Sequence, residues 1–249
     1  MMTAYEQKAA EELKRWKRKL EKQPSMTSRY AKRLQTKMNN MLPEKIHQVV
    51  TSSIKKMVHA TLVGSEYTTK RTIVMDCSLE KREQLLLEQI KKYKKTAAVE
   101  GAGTGAGGIF LGLADFPLLL SIKMKFLFES ATIYGFDVKD YRERLYILYL
   151  FQLAFSSEEK KKEVLQIIGN WQTYAEGLPS KETYLKTVDW KSFQLEYRDH
   201  IDLIKMLQLI PGFGAIVGAY ANYHFLDVLG ETVMNGYRMR VLNPEETVT

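Results

Sequence analysis

Residues 101–122 read GAGTGAGGIFLGLADFPLLLSI, and their glycine spacing decides the fold that we predict. Residues at i, i+4, i+7 and i+11 lie on one face of a helix. The glycines with this spacing are Gly101, Gly105, Gly108 and Gly112. A face without side chains lets the backbone of another helix approach closely. We therefore predict a helix that packs tightly against a second helix.

A second passage, residues 210–229, reads IPGFGAIVGAYANYHFLDVL and repeats this pattern. Gly214 and Gly218 are four residues apart, and Asn222 follows at the next turn, near where the first passage has Asp115. The sequence predicts an all-α protein, a multi-helix bundle around a central pair of glycine-faced apolar helices. These helices are expected near residues 101–130 and 212–235.

Neither glycine passage has the form of a conventional membrane span. Only fourteen uncharged residues separate Glu100 from Asp115, whereas a transmembrane helix needs about 20. Residues 206–226 carry no charge, but Pro211 and Gly212 interrupt them near their start. Two interpretations stay open: the passages are core helices, or they form a hairpin pair that inserts part way into a membrane.

The charge of the chain is distributed unevenly. The net charge is +8, but residues 1–95 alone hold 22 Lys and Arg against 10 Asp and Glu, a balance of +12. This asymmetry favours an acidic partner surface, either anionic lipid or nucleic acid. No helix-turn-helix or base-stacking motif supports nucleic acid. We expect a basic amphipathic helical region at 1–95, a helical core at 96–243 and a frayed tail at 244–249.

The cellular compartment is predicted from cysteine usage and from the first residues. Cys77 is the single cysteine, which excludes an intramolecular disulfide and fits a reducing cytoplasm. The first twenty residues contain no apolar run of the kind that an export signal needs. We therefore expect a cytoplasmic protein that associates peripherally with the cell membrane, with partial insertion as an open possibility.

Two basic segments are candidates for contact with that membrane. The first is an amphipathic helix, residues 4–22, whose apolar stripe comprises Tyr5, Ala9, Leu13, Trp16 and Leu20. We favour packing of this stripe on the protein, and adsorption to lipid is the alternative, since amphipathicity alone does not separate the two. The second is a helix that Ser78 caps and that ends in KKYKK, beside the glycine passage. An anionic leaflet attracts such clusters. Its predicted contact residues are Lys91, Lys92, Lys94 and Lys95. The plainer alternative is that the lysines only complete a helix C-terminus.

Other segments predict ordinary helices of a bundle. A helix opens near Pro43 and ends at Gly64, and residues 141–157 are too apolar for a surface helix, so we expect them in the core. Ser156 and Glu159 match a capping box for the helix that follows. A long amphipathic helix is predicted from Trp190 to Pro211.

The motif search favours a protein without catalysis, metal or cofactor. Residues 103–108 spell G-x-G-x-x-G, but the dinucleotide motif needs a preceding strand, and KKYKKTAAVE precedes this one. Glu196 and His200 have the i, i+4 spacing of metal ligands, yet Arg198 and Asp202 make a surface ion-pair ladder the simpler interpretation. Cys77 has no nearby base in the sequence.

Three polar residues on the glycine passages are candidate functional groups: Glu100, Asp115 and Asn222. An acid on an apolar helix is costly to bury unless it is paired. Lys123 or Lys125 could supply the positive charge. The alternative is an acid at a helix end that faces water.

Two long passages resemble the EcsC family of bacterial proteins. They are GLADFPLLLSIKMKFLFESATIYGFD, residues 112–137, and YRDHIDLIKMLQLIPGFGAIVGAYANYHFLDVLGETVMNGYRMR, residues 197–240. The family takes its name from a protein encoded beside the ATPase and membrane subunits of an ABC transporter. The resemblance implies an accessory role near such a transporter, and it supplies no catalytic residue.

The sequence therefore leads to two hypotheses about function. The first is a non-enzymatic accessory protein at the cytoplasmic membrane face, which contacts anionic lipid and ABC transporter subunits. The second is a soluble helical protein that binds a lipid or another apolar ligand in a cavity beside the glycine-faced helices.

Overall fold

The structure is a computed structural model that describes residues 2–21, 44–63, 73–74, 76–104, 116–189, 191, 194, 197 and 218–242. These residues form α-helices and connecting turns without a β-sheet, which confirms the predicted all-α class. The helices are α1 (Ala4–Glu21), α2 (Glu44–Val63), α3 (Leu79–Thr104), α4 (Phe116–Ile133), α5 (Tyr141–Phe155), α6 (Glu158–Gly169), α7 (Trp171–Glu176), α8 (Lys181–Thr187) and α9 (Gly218–Val241).

The last helix, α9, packs most extensively against α3. The two helices run antiparallel, because Arg238 contacts Glu83 while Asp227, eleven residues earlier, contacts Lys94. Between these contacts, Gly230 faces Ile90 so closely that an added Cβ would lie 2.5 Å from the Ile90 Cδ1 atom. The absence of a side chain at Gly230 therefore sets the spacing between α3 and α9.

Gly236 plays the same part between α9 and α5. A Cβ at this position would collide with the side chain of Leu150. The hydroxyl of Tyr146 donates a hydrogen bond to the Gly236 carbonyl oxygen at 2.7 Å, which requires the same close approach. Glycine does permit tight helix packing in this protein, at positions outside the stripes that the sequence indicated.

Helix α5 is the central element of the hydrophobic core. All of its residues except Arg142 and Tyr149 are buried, which confirms the prediction of a core helix. The helix begins where the Asp140 carboxylate accepts a hydrogen bond from the Arg142 backbone N–H at 2.9 Å. Helices α2, α4, α6 and α9 all pack against it.

Helix α1 packs its apolar stripe onto the body of the protein. Ala9, Leu13 and Trp16 are buried, and Tyr5 and Leu20 are partly buried against the same core. Trp16 is only 6% exposed. The favoured interpretation of this helix is therefore confirmed, and its lipid-facing alternative is wrong for the apolar stripe.

Two helix ends differ from the sequence prediction. Helix α3 continues through Lys91–Lys95 to Thr104, so the lysines do not close the helix as expected. The capping box of Ser156 with Glu159 is also wrong: Ser157 is the N-cap residue of α6, with no side-chain cap bond. The Ser156 hydroxyl instead donates to the Gln152 carbonyl oxygen at 2.6 Å. The Ser78 cap is confirmed, since its hydroxyl accepts from the Lys81 N–H at 3.3 Å.

The glycine-faced helix pair lies largely outside the described residues. Gly101 belongs to the last turn of α3, and Gly218 belongs to the first turn of α9. The remaining predicted packing glycines, Gly105, Gly108, Gly112 and Gly214, are not among the described residues, so their packing stays a prediction. Among the described helices, none combines the length and the hydropathy that crossing a membrane requires.

The contact between Gly230 and Ile90 leads to a stability prediction. Gly230→Ala forces the Ile90 side chain to move, and we expect the free energy of unfolding to fall by about 1 kcal/mol, since overpacking outweighs the gain in helix propensity. In an Ile90→Val background, which lacks the Cδ1 atom but keeps the Cγ1 position 3.0 Å from the added Cβ, the same substitution should cost less. Urea denaturation followed by circular dichroism measures all four proteins.

Gly169→Ala is the matched control, because nothing lies within 4 Å of an added Cβ at the end of α6. We expect this variant to be at least as stable as the parent. A cost of Gly230→Ala that is the same with and without Ile90→Val would contradict the close approach of α3 and α9.

Candidate functional site

A cluster of polar side chains around a buried ion pair joins α1, α3 and α9. Both oxygens of the Glu83 carboxylate accept from the Arg238 guanidinium, Oε1 from Nε and Oε2 from Nη2, each at 2.7 Å. Glu83 is 1% exposed and Arg238 is 4% exposed. From α1, the Glu12 carboxylate lies 2.9 Å from Arg238 Nη1, and the Tyr5 hydroxyl donates to Glu83 Oε2 at 2.6 Å.

The electrostatics of this cluster hold Arg238 in its charged form and Tyr5 in its neutral form. Burial lowers the pKa of Arg238, but the hydrogen bonds and charge of Glu83, with those of Glu12, outweigh burial and raise it. Burial and the hydrogen bond to Glu83 raise the pKa of Tyr5 to about 12. Arg238 therefore stays charged and Tyr5 stays neutral at physiological pH, so the cluster acts as a permanent structural contact.

A second ion pair on α9 is formed by Arg240, which is partly buried and lies close to the first pair. Its Nη1 atom is 2.6 Å from Glu143 Oε2, and the Tyr237 hydroxyl donates to Glu143 Oε1 at 2.7 Å. The guanidinium also covers aromatic rings, with its carbon 3.6 Å from the Phe136 centroid and 4.5 Å from that of Tyr146. Burial raises the pKa of Glu143, against the charge of Arg240.

A pocket of about 350 Å³ opens beside Arg240. Its polar lining consists of two arginines, Arg142 and Arg240, a glutamine and three acids, and its apolar lining includes Phe136 and Trp171. The Arg142 Nη2 atom donates to the Leu178 carbonyl oxygen at 3.1 Å, whereas its Nε atom is buried without a hydrogen-bond partner.

The acids of this pocket are already engaged. Asp140 caps α5, Glu143 binds Arg240 and Tyr237, and Glu176 accepts from Gln172 at 3.4 Å. None of the lining residues is a serine, threonine, cysteine or histidine. These residue types supply many of the nucleophiles in covalent catalysis, so the pocket provides no nucleophile of these types.

A second pocket, of about 370 Å³, lies between α1 and α6. Its lining combines charged residues, among them Lys17, Glu21 and Lys162, with the apolar Leu165. Neither of these two pockets is the apolar cavity that the ligand-binding hypothesis requires. That cavity was predicted beside the glycine passages, most of which lie outside the described residues, so the hypothesis stays a prediction.

The four lysines predicted to contact an anionic surface have two different environments. Lys91, Lys92 and Lys95 are exposed on α3, and none forms an ion pair with the part of the chain that the structure describes. Lys94 is turned inward, with a side chain only 12% exposed, and pairs with Asp227 on α9. Three of the four are therefore available to a partner.

The side chains of the candidate polar residues in the glycine passages lie outside the described part of the structure. Glu100 lies in α3 and Asn222 in α9, but their side chains are not described, and Asp115 is outside the described residues. Of the two suggested partners, Lys125 is exposed, whereas Lys123 is 2% exposed and donates to the Leu119 carbonyl oxygen at 3.4 Å. A pairing of Lys123 with either acid stays a prediction.

The glycine motif at residues 103–108 and the candidate metal-ligand spacing lie mostly outside the described residues. Residues 79–104 are helical, so a helix precedes Gly103 where the dinucleotide motif needs a strand. The spacing of Glu196 and His200 falls outside the described residues. Elsewhere in the described chain, no group of three or more His, Cys, Asp or Glu side chains is arranged to hold a metal ion.

The ion pairs of Arg238 and Arg240 were missed by the sequence analysis, although one signal was present for the first. Glu83 occupies a position in the apolar stripe of α3, between Leu79 and Leu86 and in register with Ile90 and Tyr93. A carboxylate on the core face of a helix requires a buried partner. Its partner Arg238 is 155 residues away in the sequence, so local spacing could not identify it.

Comparisons with known proteins identify the class to which this helical bundle belongs. The sequence model of the EcsC protein family matches residues 7–242. The chain therefore belongs to the EcsC family.

Two relatives from Bacillus subtilis (strain 168) show the extent of the similarity. The chain is 51% identical to "Protein EcsC" over 227 residues, which is 91% of this chain and 92% of that protein. It is 26% identical to "Uncharacterized protein YdbA" over 222 residues, 82% of this chain and 80% of that protein. No solved structure matches the chain.

The buried ion pair leads to a second stability prediction. Arg238→Met leaves the buried Glu83 carboxylate without its countercharge, and we expect the free energy of unfolding to fall by about 3–5 kcal/mol. The double variant Glu83→Met with Arg238→Met removes both charges and should recover most of that loss. Thermal and urea unfolding measure both.

Arg15→Met is the matched control, because Arg15 pairs with Glu11 on the surface at 3.3 Å with both side chains more than 70% exposed. We expect a change within about 0.5 kcal/mol. A double variant that is no more stable than Arg238→Met alone would show that the pair matters for more than charge compensation.

Proposed function

We propose that this protein is a non-enzymatic accessory protein that associates peripherally with the cytoplasmic face of the cell membrane and acts beside an ABC transporter. The observation that carries the proposal is the exposure of Lys91, Lys92 and Lys95 on one segment of α3, free of ion pairs with described residues. Unpaired lysines keep their full charge available for lipid phosphates.

The expected strength of this contact agrees with reversible association. A basic residue near an anionic leaflet contributes about 1 kcal/mol, so three lysines contribute about 3 kcal/mol. Since the attraction acts through water, salt screens it. The helices that the structure describes include no candidate span, and the proposed association therefore rests on the surface of the protein.

The non-enzymatic part of the proposal is supported by the chemistry of the pockets. The acids beside Arg240 are held by a helix cap, an ion pair and a side-chain hydrogen bond. The proximity to a transporter rests on the family resemblance, and membership of the EcsC family supports it.

Vesicle flotation tests the membrane contact. We expect the protein to float with vesicles of phosphatidylcholine and phosphatidylglycerol in equimolar mixture at an ionic strength of about 0.01 M, and to be released at about 1 M, where the Debye length falls from roughly 30 Å to 3 Å. Vesicles of phosphatidylcholine alone are the control. Failure to bind the anionic vesicles at low salt would contradict the proposal.

A further inference from the structure

The contacts of α3 fix how its two antiparallel neighbours are aligned. On α4, Gln89 donates to Glu129 at 2.6 Å, and the rings of Tyr93 and Phe126 lie 5.5 Å apart. On α9, Lys94 contacts Asp227. Since both neighbours run against α3, the C-terminal end of α3 lies beside the N-terminal ends of α4 and α9.

This shared end of the bundle is where both glycine passages meet the described helices. Gly101 is in the last turn of α3, and Gly218 is in the first turn of α9. Because the helices are antiparallel, each step forward along α3 from Tyr93 corresponds to one step backward along α4 from Phe126. Leu118, near the start of α4, is therefore level with Gly101. Gly101 and Gly218 therefore lie at the same end, although they are 117 residues apart in the sequence.

Exposed lysines and exposed apolar side chains lie near this end, together with Thr96 and Asp227. Leu118 is 55% exposed, more than any other large hydrophobic side chain of the described residues, and Pro117 beside it is exposed as well. The alignment places Lys125 of α4 level with Lys94, so that exposed lysines of both helices lie together. Leu118 is seven residues beyond Lys125 on the same helix, about 10 Å further along.

Few acidic side chains are described in the same region, and those of Glu100 and Asp115 are not among them. Asp227 is exposed, but it is paired with Lys94. The exposed acids Glu88 and Glu231 lie on the other side of the lysines from Leu118, because Glu88 precedes Lys91 on α3 and Glu231 follows Asp227 on α9. Among described side chains, the positive charge is therefore concentrated next to the exposed apolar end.

A second basic surface on α1 offers a direct comparison. Lys14, Arg15 and Lys19 are exposed there. Helix α1 contacts α9 through the pair of Glu12 with Arg238. Arg238 is eleven residues from Asp227, which pairs with Lys94, so the two contact points are about 16 Å apart along α9. The apolar neighbours of these charges, Leu13 and Trp16, are buried, so this surface lacks an exposed apolar side chain of its own.

We propose that the end of the bundle defined by Lys91, Lys92, Lys95, Lys125 and Leu118, here called the lysine-bearing end, is the surface that docks on an anionic lipid bilayer. The inference rests on the proposed membrane association and names the surface responsible for it. The lysines lie about 9 to 15 Å behind Leu118 along the helix axes. When they bind lipid phosphates, Leu118 is placed at the boundary of headgroups and acyl chains, where interfacial helices lie.

Charge-neutralising variants of the two basic surfaces test this orientation. The first combines Lys91→Gln, Lys92→Gln and Lys95→Gln, and its control combines Lys14→Gln, Arg15→Gln and Lys19→Gln, which removes the same charge from α1. On vesicles of phosphatidylcholine and phosphatidylglycerol, we expect partitioning of the first to fall by about 100-fold, and that of the control to fall by at most a few-fold through the net charge.

A second matched pair tests the apolar contact. Leu118→Ser removes the side chain expected at the acyl boundary, and we expect partitioning to fall by about 10-fold. Leu87→Ser removes a side chain that is 47% exposed on α3 but further from the lysine-bearing end, and we expect less than a twofold change. Thermal unfolding of every variant shows that the fold is retained.

The outcomes separate the orientation from the function on which it rests. Wild-type protein that ignores anionic vesicles would overturn both. Wild-type binding that the α1 variant loses and the α3 variant keeps would overturn the orientation and leave the membrane association intact. Equal effects of Leu118→Ser and Leu87→Ser would likewise contradict an apolar contact through Leu118.

Discussion

The Glu83 carboxylate has a buried countercharge only because α9 brings Arg238 to it from the other end of the described chain. Both charges are almost fully buried, and an unpaired carboxylate at that depth would cost several kcal/mol. The fork geometry of arginine, with two parallel N–H···O contacts at 2.7 Å, allows little sliding of α9 along α3. The register of the two helices then determines that Gly230 faces Ile90 and that Lys94 meets Asp227. Buried charge here specifies an alignment, while the apolar side chains of α5 and its neighbours provide the bulk of the stabilising burial.

Periodicity in the sequence predicts the helices whose pattern is local. The stripe of Ala9, Leu13 and Trp16 and the apolar run of α5 each identify a buried face without knowledge of its partner. Helix ends are harder, because several weak signals compete. Lys91–Lys95 resemble a helix C-terminus, but the following Thr-Ala-Ala-Val includes two alanines, the residue with the highest helix propensity, and α3 extends to Thr104.

Contacts between distant segments could not be read from spacing. The packing roles of Gly230 and Gly236 depend on which face of α9 meets Ile90 and Leu150, and that is decided by the alignment of helices rather than by any glycine motif. The same holds for the candidate site. The lysine cluster on α3 was predicted from its charge alone. The inward position of Lys94, the proximity of Lys125 to the cluster and the exposure of Leu118 depend instead on how three helices pack. The structure thus separates charges that stabilise the bundle from charges that are available to a partner.

If the lysine-bearing end meets the membrane, a fluorescent dye attached there changes its environment when the protein binds vesicles. In a Cys77→Ser background, an environment-sensitive dye is attached at Leu118→Cys or, as a reference, at Leu87→Cys, and vesicles of phosphatidylcholine and phosphatidylglycerol are added. We expect that the dye at position 118 shifts its emission to the blue and becomes protected from aqueous iodide, while the dye at position 87 stays accessible. A dye at position 118 that remains fully accessible on protein bound to vesicles would contradict a membrane contact through the lysine-bearing end.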